Sequence, residues 1–173
     1  MLHRCFHTTD SQRSWSTYRS KPPRSREEFE AATAFILGHF SSSSFLDSIL
    51  QHGLIPDTFK ERSVDDRVPS DNSSVYLATT YDRFYAERAA KHHMGQPIIV
   101  EVVVERSKLV ADEAALSSCD LETCTPDDAL YRSLCFGVCK HNGVISRSSI
   151  LSISGLDGSV IFEQSPPKKN EEA

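Results

Sequence analysis

The sequence has no long apolar run. Its most hydrophobic segment, residues 97–104, is interrupted by Glu101, and nothing approaches the roughly 20 consecutive apolar residues that a membrane-spanning helix needs. Residues 1–10 also lack the apolar core of a secretory signal peptide. We therefore expect a cytoplasmic protein without a membrane partner.

Cysteine is scarce and its number is odd, since the chain has only five: Cys5, Cys119, Cys124, Cys135 and Cys139. Without a secretory signal, this pattern does not indicate a disulfide framework and predicts buried free thiols in a reducing compartment. Cys135 and Cys139, together with His92, His93 or His141, offer ligands for zinc. Structural zinc sites use more closely spaced cysteine pairs, so we expect no metal.

Positive charge is in the minority, because 19 Lys and Arg residues face 24 Asp and Glu residues and give a formal net charge of −5. This balance does not favour a protein that binds nucleic acid through bulk electrostatics. Residues 1–26 differ, with six basic residues against one acidic residue. We interpret residues 1–26 as a mobile basic arm, either a solvated tail or a targeting or secretion segment that would deliver the protein into a host cell. Residues 164–173 are predicted to be a disordered tail.

Residues 27–163 are long enough for one domain with a hydrophobic core, since 39% of the chain is hydrophobic. Their pattern predicts short strands mixed with a few helices, which is typical of an α+β protein. The predicted helices are residues 26–32, 44–53, 81–94 and 127–134. Residues 60–74 are predicted to be a long loop, and the predicted strands are residues 33–39, 75–79, 98–104, 136–139, 143–145, 150–154 and 160–162.

Two of these helices carry local signals. Ser44, with Asp47 three residues later, predicts the start of a short helix, and Gly53 predicts its end in a left-handed conformation. The helix at 81–94 is predicted to pack through Tyr85, within a face formed by Phe84, Tyr85, Arg88 and Ala89.

Three motifs follow one another in a recognisable order. A strand ends in His39-Phe40-Ser41, a second begins with Val75-Tyr76-Leu77, and a third follows Gly95-Gln96-Pro97. The helix ending in Ser48-Ile49-Leu50-Gln51-His52-Gly53-Leu54 lies between the first two. Over roughly residues 34–113, this order resembles the ADP-ribosyltransferase superfamily, in particular its small bacterial-type members and the related RNA 2′-phosphotransferases. The resemblance implies a split, mixed β-sandwich with an NAD cleft between its two sheets.

The resemblance also implies how NAD is held. His39 would form a hydrogen bond with a ribose hydroxyl. Backbone groups near Phe40 would pair with the nicotinamide carboxamide, and the Ser41 hydroxyl suits a ribose or a phosphate. Tyr76 would lie against the nicotinamide ring, where an aromatic side chain supplies flat apolar area.

A catalytic carboxylate is the next implied feature, because positive oxocarbenium-like charge develops when nicotinamide leaves. Many family members carry a Glu on a late strand, and this sequence has no counterpart of it. The rifamycin-modifying branch places an acid just past a strand, and the matching residues are Asp112, our first choice, and Glu113, our second. Both residues also suit the capping of a turn after Leu109.

These features predict an NAD-dependent ADP-ribosyltransferase that uses NAD as its substrate. The acceptor is a protein, a nucleic acid or a small molecule, and the charge balance favours a protein. Two alternatives stay open. Phe40 replaces a small residue usual in the family, which suits a catalytically degenerate binding module, and an RNA 2′-phosphotransferase would need an arginine where His92-His93-Met94 stands. Without this chemistry, His39 and Tyr76 would be ordinary strand residues.

Overall fold

The structure, a computed structural model, describes residues 2–3, 22–56, 73–80, 83–116 and 123–164. Within these residues it confirms the predicted α+β class. The helices are α1 (Arg26–Ala31), α2 (Leu46–His52), α3 (Arg83–His93) and α4 (Pro126–Phe136). The strands are β1 (Leu2–His3), β2 (Ala34–Ser42), β3 (Ser74–Ala78), β4 (Pro97–Glu105), β5 (Leu109–Val110), β6 (Val138–Asn142), β7 (Ile150–Gly155) and β8 (Val160–Glu163).

All of these strands belong to one sheet. Its main path runs β5-β6-β3-β2-β4-β7-β8, and every neighbouring pair on this path is antiparallel. The short β1 pairs in parallel with the start of β2. As predicted from its β-branched residues, β4 is a central strand, with β2 on one side and β7 on the other.

The sheet is narrowly joined at its middle. β2 pairs with β4 over its whole length, from Ala34 opposite Glu105 to Ser42 opposite Pro97. On its other side, β2 pairs with β3 through one residue pair, Gly38 opposite Ala78. The sheet therefore consists of a β3 half (β5-β6-β3) and a β4 half (β2-β4-β7-β8), and we call the Gly38–Ala78 pair the join.

The main hydrophobic core covers one face of both halves. Alternate residues of a strand point to opposite faces, and Leu37 of β2, Leu77 of β3 and Val100 of β4 all point into this core. Helices α1, α2 and α4 close it with Phe29, Ile49, Leu130 and Leu134.

Helix α3 packs against β2 and β4. It is attached through small residues, because Ala86 and Ala90 are buried. The predicted packing of Tyr85 is wrong in its extent: Phe84 and Tyr85 remain 57% and 47% exposed. The physical reason is close approach, since an alanine face brings a helix nearer to a sheet than an aromatic face allows.

Strand β2 ends three residues later than predicted, at Ser42 instead of residue 39. Ser41 and Ser42 pair with Ile98 and Pro97, so His39 lies inside the strand and not at its end. The predicted cap at Ser44 is also wrong. A 3₁₀ turn at Ser43–Phe45 precedes α2, and Ser42 caps this turn. The Ser42 hydroxyl accepts the backbone N–H of Ser44.

Gly53 ends α2 with a positive φ of 83°, as its position predicted. A Cβ at Gly53 would lie 2.1 Å from the carbonyl oxygen of Ile145, so a larger residue does not fit. The strand predicted at 143–145 is reduced to a single bridge between Leu54 and Ile145.

The predicted helix at 127–134 is confirmed and begins with a Thr125 cap. Gly137 ends α4 in a left-handed conformation, which delays the following strand from the predicted residue 136 to Val138. Most of the predicted arm, nearly all of the loop at 60–74 and the tail after residue 164 lie outside the described residues. In the part that is described, no helix is both long enough and apolar enough to span a membrane.

Candidate functional site

The side chain of His39 links the two halves of the sheet. His39 pairs with Val100 of β4 through its backbone, and its Nδ1 lies 3.0 Å from the carbonyl oxygen of Tyr76 on β3. A carbonyl oxygen can only accept, so Nδ1 carries the hydrogen and donates it. In the neutral ring, Nε2 is then left as an acceptor.

The neutral form of His39 is also the favoured one. Burial lowers the pKa of its imidazole, and the hydrogen bond to the Tyr76 carbonyl opposes this effect without cancelling it. Among the residues that the structure describes, Nε2 has no hydrogen-bond partner. The site thus offers a neutral acceptor that suits a hydroxyl group of a ligand.

Ser41 lies on the same face of β2 as His39, about 7 Å further along the strand. It is buried, and its hydroxyl makes no hydrogen bond within the described part of the chain. The next serines have structural tasks. The Ser42 hydroxyl accepts the N–H of Ser44, and the Ser43 hydroxyl accepts the N–H of Gln96 at 2.8 Å.

The motif Gly95-Gln96-Pro97 is explained by this attachment. A Cβ at Gly95 would lie 2.1 Å from the Ser42 hydroxyl oxygen, so only glycine allows the end of α3 to approach β2 this closely. The start of β4 is thereby fixed beside the end of β2, where His39 and Ser41 lie.

The Phe40 ring lies on the face of β2 opposite to the His39 ring. It stacks on Tyr85 of α3 with a centroid separation of 6.3 Å and an interplanar angle of 21°. Strand alternation accounts for this, since neighbouring side chains point to opposite faces. Phe40 is therefore directed away from the imidazole.

Tyr76 is half-buried on β3 between the buried Val75 and Leu77. Its side chain consequently lies on the face away from the main core, and its residue pairs with Lys140 of β6. The structure therefore brings the His39 side chain to the main chain of Tyr76, while the Tyr76 ring lies on the face of the sheet opposite to the imidazole.

Asp112 lies apart from this pair. It follows β5, is 7% exposed, and its Oδ1 accepts the N–H of Ala115 at 3.4 Å. Its own N–H donates to the hydroxyl of Ser133. β5 and β2 are three strand spacings apart, which places Asp112 about 14 Å from β2. The turn-capping role considered for Asp112 is thus present.

Glu113 has a different environment. Its carboxylate is 3.3 Å from the ammonium group of Lys140, and the Glu113 side chain is 71% exposed while that of Lys140 is 12% exposed. Because Lys140 is opposite Tyr76, this ion pair connects Glu113 to the Tyr76 strand. Glu113, the second-choice acid, is therefore linked to the residue opposite Tyr76 through one ion pair, and no such link is seen for Asp112 in the described residues.

The cysteines show mixed environments. Cys139 is buried, and both burial and the nearby Asp112 raise the pKa of its thiol. Cys124 is half-buried and Cys135 is exposed, so the prediction of buried thiols is right for Cys139 and wrong for these two. Across the described ranges, no three His, Cys, Asp or Glu side chains are arranged to hold a metal ion.

Sequence reasoning missed two residues near the join. Lys140 gave no signal, because its position beside Tyr76 depends on the pairing of β3 with β6. Glu101 was detectable in the sequence, since it interrupts an apolar strand. It lies opposite Gly38, next to His39 along β2, and accepts a hydrogen bond of 2.5 Å from the Ser152 hydroxyl.

A neutral imidazole and a buried serine thus lie next to the join on the core face of the sheet, and the Tyr76 ring lies on the other face. No family model matches the chain, and no curated protein matches it.

Proposed function

We propose that this chain has the split ADP-ribosyltransferase fold, binds NAD at the join and transfers its ADP-ribose to an acceptor. The observation that carries the proposal is the hydrogen bond from His39 Nδ1 to the Tyr76 carbonyl oxygen. It connects the two motif residues on which the resemblance rests, and it leaves Nε2 oriented as an acceptor.

The narrow join supports the fold proposal. Among the described residues, β3 pairs with β2 at Gly38 alone, and the pairing of the two strands ends there. The proposal places the NAD carboxamide, which has one acceptor and two donors, beyond this pair, near Phe40 and Ser41.

The proposed contacts follow from donor and acceptor roles. A ribose O–H donates to His39 Nε2, and the Ser41 hydroxyl binds a second ribose or phosphate oxygen. Tyr76 contributes its main-chain carbonyl, which orients the imidazole, while its ring lies on the other face of the sheet. In the transfer, the bond between C1′ of the ribose and nicotinamide breaks, nicotinamide leaves with the electron pair, and the acceptor nucleophile bonds to C1′ and releases its proton.

Glu113 is the preferred acid in this proposal. Its carboxylate is exposed and extends toward Lys140 on the strand beside Tyr76, whereas Asp112 is engaged by its own turn. A carboxylate near C1′ stabilises the positive charge of the transition state. Asp112 then acts as a positioning residue that orders the turn leading to Glu113.

A second candidate is a module that binds NAD without turnover. Asp112 is buried in a capped turn, and Asp112 and Glu113 both follow β5, about 14 Å from β2. The distance of both acids from His39 favours this alternative. The two candidates share the binding site and differ in the release of nicotinamide.

Calorimetric titration with NAD, together with chromatography of released nicotinamide, tests both. We expect His39→Ala to weaken NAD binding at least tenfold, because a hydrogen bond to a buried group contributes about 1.5 kcal/mol. His52→Ala, an exposed histidine at the end of α2, is the matched control and should bind as the parent chain does. NAD binding without nicotinamide release supports the second candidate, and the absence of NAD binding contradicts both.

A further inference from the structure

The outer side of α3 carries exposed aromatic and basic side chains together. Phe84 and Tyr85 are 57% and 47% exposed, Arg88 is half-buried and Lys91 is exposed. Phe84, Arg88 and Lys91 are spaced at i, i+4 and i+7, which places them along one side of the helix. We call these four residues the α3 surface.

The α3 surface is basic within an acidic chain. On this side of the helix, Arg88 and Lys91 stand against the exposed Glu87, which is three residues after Phe84 and four before Lys91, while the whole chain has a formal net charge of −5. At physiological ionic strength, charges more than about 8 Å apart are largely screened. A partner at the α3 surface therefore responds to the charges of these three side chains more than to the net charge of the chain.

The aromatic rings are held in fixed positions. Tyr85 stacks on Phe40 behind it, and Phe84 meets Tyr85 edge-on with centroids 5.5 Å apart. The guanidinium carbon of Arg88 lies 6.0 Å from the Phe84 ring centroid. Rings and guanidinium groups of this kind form flat platforms on which nucleobases stack.

We propose that the α3 surface binds single-stranded nucleic acid. Bases stack on Phe84 and Tyr85, and backbone phosphates pair with Arg88 and Lys91. Single strands are favoured over duplexes because the faces of paired bases are already stacked within the helix. An acidic peptide is less suitable, since the surface is the convex side of a helix and offers no groove for apolar anchors.

The α3 surface lies across β2 from the His39 imidazole, because Tyr85 stacks on Phe40 and the Phe40 ring is on the face opposite to that of His39. Binding of a single strand at the α3 surface is therefore independent of NAD binding.

Fluorescence anisotropy of the full chain without NAD tests the binding itself. The probes are labelled single-stranded DNA and RNA of about 12 nucleotides, a duplex of the same sequence and a polyglutamate peptide. Both single strands are expected to bind more tightly than the duplex or the peptide at about 50 mM salt. A difference between the DNA and RNA arms identifies the physiological class.

Two sets of variants separate stacking from charge. Phe84→Ala should weaken binding about tenfold, and the double variant Arg88→Gln, Lys91→Gln should reduce the salt slope by about 1.4. Arg147→Gln and Val160→Ala, exposed positions away from α3, are the matched controls and should leave affinity unchanged.

The proposal is overturned if neither single strand binds, if the peptide or duplex binds more tightly, or if Phe84→Ala binds like the parent chain. Failure of the proposed function has a different signature. If the chain binds single strands through Phe84 and does not bind NAD, the nucleic-acid site is supported and the proposed ADP-ribosyltransferase function is contradicted.

Discussion

At the scale of the residue, one hydrogen bond determines the chemistry of His39. The Tyr76 carbonyl fixes the hydrogen on Nδ1, and burial keeps the ring neutral. A histidine before a polar run is visible in the sequence. Its tautomer is not, because the partner is a main-chain atom 37 residues away.

The lowered pKa of His39 predicts a loss of stability in acid. Since the pKa is below the ordinary value of 6.5 in the folded chain, the unfolded chain binds more protons as the pH falls through this region. The stability that the neutral His39 ring contributes is fully present above about pH 6.5. It is lost as the pH falls toward the lower pKa of the folded chain. Urea unfolding between about pH 7.5 and pH 5 should show a smaller decline for His39→Gln than for the parent chain.

The exposed His52 provides the control for that experiment, since it ends α2 at the surface. His52→Gln should follow the parent chain across the same pH range. An equal decline in His39→Gln would show that burial does not disfavour the charged imidazole at this position.

At the scale of the element, local pattern predicted the strands and helices that have strong internal signals. The β-branched run of β4 had such a signal. The end of β2 had none, because Ser41 and Ser42 join the strand only through pairing with β4. The α3 face was misassigned since Phe84 and Tyr85 outweigh two alanines in any hydrophobic pattern.

Enlarging the alanine face of α3 should destabilise the protein more than removing an exposed ring. Ala86 is fully buried, and Ala86→Leu is expected to cost about 1–3 kcal/mol of unfolding free energy through overpacking. Phe84→Ser, at a 57% exposed position, should change it by less than about 0.5 kcal/mol. Denaturant titration of both variants measures the two changes in unfolding free energy. A larger loss in Phe84→Ser than in Ala86→Leu would show that Phe84, and not Ala86, faces the core.

At the scale of the whole molecule, two well-paired half-sheets meet at Gly38 and Ala78. The class of fold was predictable from the alternation of short strands and helices. The join was not, because it depends on how two half-sheets meet and no local residue pattern encodes that. The same holds for the neighbourhood of Tyr76, where Lys140 and Glu113 arrive from distant parts of the chain.

A ligand that binds at the join should protect the two strands that meet there, β2 and β3. Anything that binds the folded state alone stabilises it, by about 2.7 kcal/mol at a concentration 100 times its dissociation constant. With NAD in such excess, we expect slower amide exchange in residues 38–42 and 74–78, measured by hydrogen–deuterium exchange and mass spectrometry. Strands β7 and β8, on the far side of β4, should change little.

His39→Ala separates this local effect from general stabilisation. Without the imidazole, the same NAD concentration should leave exchange at 38–42 close to that of the ligand-free chain, while β7 and β8 stay unchanged. Equal protection of all strands would indicate a global effect with no localised site. Protection confined to β7 and β8 would move the NAD site to the opposite end of the sheet, away from His39 and Tyr76.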